Sequence, residues 1–120
     1  MKKLLRIGQA GYNGQDPKLG ITYKVAAGAE QGDIVGPTTN PGEVGRPAAA
    51  ARFIGELVTK EADGYGSVHR GNVTVARRTG AISPGLQNLQ ADGTGGVQAG
   101  AGVECHVIGT DADSVAFYIL

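Results

Sequence analysis

The sequence has no tryptophan, only two phenylalanines and four tyrosines in 120 residues. A core built from it must be aliphatic. Its one cysteine, Cys105, excludes an intrachain disulfide and fits a reducing compartment. No stretch approaches the ~20 apolar residues of a membrane-spanning helix. The basic start, MKKLLRIGQAG, has only Leu4-Leu5 as an apolar run, short of the ~7–15 residues of a secretory signal. The chain is therefore expected to be cytosolic when made, with no membrane partner. Net charge is lacking too: eleven Lys and Arg balance eleven Asp and Glu. No overall field draws the chain to nucleic acid, and few aromatics are available to stack bases, so direct nucleic-acid binding is not expected.

Catalytic signatures are also missing. There is no G-x-x-x-x-G-K-[ST] phosphate cradle and no G-x-S-x-G elbow. Cys105 and His106 are neighbours, and neighbours on a strand point to opposite faces, which argues against a nucleophile–base pair. One cysteine and two histidines at single-residue and long spacings make a poor zinc set. Asp111-Ala112-Asp113 resembles the start of a calcium loop, but the later glycine and glutamate are absent. Arg77-Arg78 is read as a solvated strand end. No enzyme, cofactor or metal is expected.

What the sequence does have is glycine, 21 of 120 residues, well over twice the usual ~7%. With valine and threonine, this suggests short strands joined by tight turns. Residues 1–17 read as an arm: Lys2, Lys3 and Arg6 surround Leu4, Leu5 and Ile7, and GQAGYNGQDP then breaks regular structure. Ile21, Tyr23 and Val25 alternate with Thr22 and Lys24, the period of a strand. Residues 37–47 read as an exposed loop. A strand is expected over Phe53–Thr59 after a helical turn at Ala48–Ala51. In GSVHRGNVTVA, Gly71-Asn72 reads as a two-residue hairpin turn. That register opposes His69 to Thr74 and puts Val68, Val73 and Val75 on one face, so that the hairpin would set a threonine across from His69. Residues 91–102 read as a glycine-rich loop. Further on, Val103, Cys105 and Val107 should face one way, and Val115, Phe117 and Ile119 likewise.

The count is seven to nine short strands with no internal repeat. The fold class expected is all-β: a small antiparallel β-sandwich or barrel over residues 18–120, with an extended N-terminal arm. Charge is unevenly placed along the chain, because every Lys and Arg lies within residues 1–78. A subunit with opposite poles is suited to meeting copies of itself.

The series AGAEQGDIVG, FIGELVTKEADGYGSVHRGNVTVA, ISPG, ADGTGG and VIGTDADSVAFYIL resembles the small capsid decoration, or cement, proteins of tailed bacteriophages. The resemblance covers roughly residues 26–120 and is a rhythm of glycine-punctuated valine strands. It implies a β-barrel or sandwich, often a homotrimer, that binds the outer surface of the virion and bridges major capsid protein subunits. Lys2, Lys3, Leu4, Leu5, Arg6 and Ile7 are then the expected capsid-binding residues, by charge and apolar contact. The alternative is a non-catalytic barrel that binds nucleic acid or carbohydrate.

Overall fold

A computed structural model describes residues 20–71 and 73–120. The proposed arm and its capsid-binding residues 2–7 lie outside them. The described chain forms ten strands, more than the sequence pattern suggested. β1 (Ile21–Val25), β2 (Ile34–Pro37), β3 (Glu43–Gly45), β4 (Gly55–Lys60) and β5 (Tyr65–His69) close into one barrel. β6 (Thr74–Thr79), β7 (Gly85–Ala91), β8 (Val97–Ala99), β9 (Val103–Thr110) and β10 (Ser114–Ile119) close into a second. The all-β expectation holds, with two barrels in place of one. Closure pairs every strand on both sides and removes the exposed edges that short strands otherwise present.

The two barrels are built on one plan. The first runs β1-β3-β2-β4-β5 and the second β6-β8-β7-β9-β10, the same order shifted by five strands. In each, one pair is parallel (β1 with β3, β6 with β8) and the rest are antiparallel. Even the irregularity repeats. Leu57 pairs with Val68 and Thr59 with Ser67, which leaves Val58 as a bulge. Val107 pairs with Phe117 and Gly109 with Ala116, which leaves Ile108 in the same place. After each bulge comes a short turn in which an aspartate accepts from the backbone, Asp63 Oδ1 from Tyr65 N and Asp111 Oδ1 from Asp113 N and Ser114 N, the first turn being one residue longer. The sequence expectation of no repeat is therefore wrong. The halves share a hydrogen-bonding plan while conserving little more than Glu61-Ala62-Asp63 against Asp111-Ala112-Asp113.

The junction between barrels corrects a second expectation. β5 pairs with β1 and β4, whereas β6 pairs with β10 and β8. β5 and β6 are therefore not hairpin partners, and the expected hairpin turn, whose Asn72 lies outside the described residues, is not formed between them. Val68 enters the first core while Val73 and Val75 are exposed. His69 stands opposite Glu56, not Thr74. The dipeptide signal was sound locally, but barrel closure from β1 offered β5 a better partner.

Both cores follow the two-residue period. Val25, Val35, Val44, Leu57 and Val68 fill the first barrel with aliphatic side chains. Leu89, Val97, Cys105, Val107, Val115 and Phe117 fill the second. Two residues of the first half, Ile34 and Phe53, belong to that second cluster. Val35 points into its own barrel, so Ile34 must point out of it, against its neighbour. Phe53 meets Phe117 edge to face with centroids 6.0 Å apart. Phe53 precedes β4, which begins at Gly55, later than expected. Ala48–Ala51 forms a turn and no helix, closed by an Ala51 N–H to Ala48 carbonyl bond of 3.1 Å. Ala50 and Ala51 bond there to Ala91 of β7, another tie between halves.

Candidate functional site

The residue types that carry chemistry are distributed by the barrel period, which separates them. Cys105 points into the second core and is fully buried, its Sγ 3.4 Å from the Val103 carbonyl. Burial and the nearby Glu104 carboxylate push the thiol up to about 11. His106 points outward from the same strand. Its Nδ1 lies 2.9 Å from the Tyr118 hydroxyl, and the rings meet edge to face with centroids 5.1 Å apart. The expected separation of this pair is thus what the sheet imposes. His69 lies in the other barrel, on β5. Among the described residues, no three His, Cys, Asp or Glu groups gather as a metal site.

The aspartates are held in turns. Asp111 Oδ1 accepts from Asp113 N (3.2 Å), Ser114 N (3.0 Å) and Ser114 Oγ (2.7 Å). These bonds hold its carboxyl below the usual range, the Ser114 hydroxyl contributing most. The oxygen that a calcium loop would offer its cation is turned onto the backbone instead. At Asp92, burial pushes the carboxyl up. Bonds from Thr94, Thr79 and Gly96 outweigh it, and the carboxyl ends below its ordinary value.

Arg77 and Arg78 are not a solvated strand end. The Arg78 guanidinium donates to the carbonyls of Asp111 (2.8 and 3.0 Å), Ala112 (3.1 Å) and Gly80 (2.6 Å). It pins the β9–β10 turn to β6. Arg77 donates to the Thr94 carbonyl and lies 3.9 Å from Asp33. Asp33 is buried and also holds Arg46 at 2.8 Å. This triad links the first barrel to the second, and no local pattern reveals it, because its arginines are 13 and 44 residues from Asp33. Gly95 makes it possible. Its φ is +94°, and a Cβ there would lie 2.4 Å from Asp33 Oδ1.

A half-open cleft of about 460 Å³ opens on the described surface. Ile21, Tyr23, Phe53, Ile54 and Val68 line it from the first half and Val103 from the second, with Pro37, Arg52 and Arg70. Its lining holds two guanidiniums and a phenol but no carboxylate, imidazole or thiol. Such a wall can grip an apolar group or an anion; it has no proton-transferring pair. The remaining candidates are convex: Val75, Leu86 and Ile108, exposed on more than one side of the second barrel. No protein-family model matches the chain, and no curated protein matches it significantly.

Proposed function

We propose that the protein is a structural virion component, a decoration or cement protein that binds the outer surface of a tailed-phage capsid and stabilises its lattice. The observation that carries this reading is the fate of the polar groups. Asp33, Asp92, Asp111, Arg77 and Arg78 serve turns and the seam between barrels, and Cys105 serves the core. A molecule organised this way acts through its surface. The glycine-punctuated strand series, which resembles that of decoration proteins, suggests the partner: the major capsid protein, bridged by copies of this chain acting as a homotrimer. Many copies on one shell add avidity, so a weak single contact suffices.

The test is co-sedimentation of the purified chain with capsid shells that lack it. Binding that saturates at a fixed number of copies per shell, and raises the shell's melting temperature, is expected. A truncated chain lacking residues 1–12 measures the contribution of Lys2, Lys3, Leu4, Leu5, Arg6 and Ile7. A chain that stays in the supernatant at every ionic strength would sink the reading. Salt-sensitive retention on single-stranded DNA would favour the nucleic-acid alternative.

A further inference from the structure

The two closed barrels differ at one end. Directly opposed residues of an antiparallel ladder share one side of the sheet. Ile21 stands opposite Val68 in the β1–β5 ladder, and Val68 is buried in the first core. Ile21 is therefore on the inward side of its barrel, in one row with Tyr23 and Val25. Exposure rises along that row: Val25 is 8% exposed, Tyr23 is half-buried and Ile21 is 65% exposed. An inward isoleucine that meets so much water marks an open barrel mouth. The second barrel has the same rung. Counted from the two bulges, Thr74 and Phe117 take the places of Ile21 and Val68. Both are buried there, because Phe117 fills more space than a valine and Phe53 packs against its ring. The same fold can stop this mouth, and in the first barrel it leaves the mouth open.

The opening is the cleft of about 460 Å³, a volume within the ~300–1,000 Å³ of small-molecule sites. Its floor joins both cores: Tyr23, Ile54 and Val68 belong with the first, Phe53 and Val103 with the second. Its charge is of one sign. Five arginines lie among the described residues, and three of them, Arg46, Arg77 and Arg78, are tied to Asp33 or to backbone carbonyls. The guanidiniums of the other two, Arg52 and Arg70, make no hydrogen bond or ion pair with any described residue, and both line the cleft. An apolar hollow with two unengaged guanidiniums and no carboxylate in its lining complements an anion that carries an apolar body. A carboxylate is the anion whose shape matches the guanidinium fork.

The surroundings favour a small molecule over a chain. Both barrels are closed, so no strand edge is free to pair with an extended peptide. Nucleic acid needs exposed rings on which to stack, and here Phe53 is buried and Tyr23 half-buried. The chain's own start carries Lys2, Lys3 and Arg6, the same sign as the cleft. We infer that the mouth of the first barrel binds a small carboxylate with an apolar body, such as a medium-chain fatty acid. Its hydrocarbon lies against Ile21, Phe53 and Val68, and its carboxylate lies between Arg52 and Arg70. The inference does not depend on the capsid reading.

Octanoate, 1-octanol and octylammonium present one hydrocarbon chain with three head groups, and titrating each into the full-length protein tests it. Octanoate should shift the amide resonances of Ile21, Tyr23, Ile54 and Val68 and saturate, with a Kd on the order of 0.1–1 mM for so small a ligand. The neutral and cationic analogues should bind about tenfold more weakly. Arg52→Gln and Arg70→Gln alter exposed side chains, so both variants should fold. Each should weaken octanoate binding about three- to tenfold and leave octanol binding unchanged. Lys24→Gln removes an exposed charge from the outward side of β1 and should leave octanoate binding as it was. Absence of saturable shifts at the cleft would overturn the inference, as would octanol binding as tightly as octanoate. So would two glutamine variants that bind octanoate normally, or displacement of octanoate by equimolar inorganic phosphate or single-stranded DNA.

Discussion

Cys105, inside the second barrel, and Glu56, beside the core residue Leu57 of the first, are both pushed up by burial, with different practical results. The Cys105 thiol, raised to about 11, stays protonated throughout the neutral range. Native protein at pH 8 should resist iodoacetamide until it is unfolded in denaturant, and fast native alkylation would contradict the packing described. At Glu56, burial pushes the carboxyl up against the opposing effect of the Thr74 side chain. A raised carboxyl favours the folded state in its neutral form, so its contribution is complete below the ordinary value of 4.5 and fades as pH climbs above it. Glu56→Gln should remove that fading, giving a melting temperature above the parent's at neutral pH and level with it in acid. Asp92 carries the opposite sign: its lowered carboxyl helps at neutral pH and ceases to help as pH falls through the folded-state value.

At the scale of elements, the triad around buried Asp33 and the turn clamp carry measurable load. Asp33→Asn leaves two guanidiniums facing a neutral amide at a site where the carboxylate is buried. With both guanidiniums partly in water, a loss of about 1–2 kcal/mol is expected in a denaturant titration. Arg78→Ala frees three carbonyls in and near the β9–β10 turn, which are exposed and regain water, so about 1 kcal/mol is expected there. Legibility in the sequence divides along the same line. β1, β9 and β10 were readable because their apolar residues alternate, and Val107, Val115 and Phe117 are buried as that alternation requires. The separation of Cys105 from His106 followed from the same period. The Asp33–Arg46–Arg77 link and the β8 strand inside a glycine-rich stretch were not readable, because long-range pairing decides both. The repeat was hidden for a related reason. Barrel topology is fixed by register and turn geometry, which quite different side chains can satisfy, as Gly66 and Val115 do after the two bulges. Gly66 is compelled by crowding: a Cβ there would lie 2.3 Å from the Thr59 carbonyl oxygen.

For the whole molecule, the important contacts are those by which one half completes the other. Ile34 and Phe53 are buried in the core cluster of the second barrel, where Phe53 meets Phe117. Phe53→Ala should cost about 3–5 kcal/mol. It should do so without splitting the transition, because both cores lose a shared wall. Fluorescence of the tyrosines in the first barrel and far-ultraviolet dichroism should therefore melt together; two resolved steps would show the halves to be independent.

The closure of each barrel on its own half of the polypeptide also bears on biosynthesis. Every backbone ladder of the first barrel is complete once His69 has emerged, since no strand beyond β5 takes part in it. On a ribosome, that half can fold while the remainder is still being translated, as early domains generally do. Until then Ile34 and Phe53 stand naked to solvent on a finished barrel, the surface a chaperone would find first. Translation of β7 to β10 supplies their cover from the same chain, so the nascent protein guards its own stickiest patch before any second molecule can reach it.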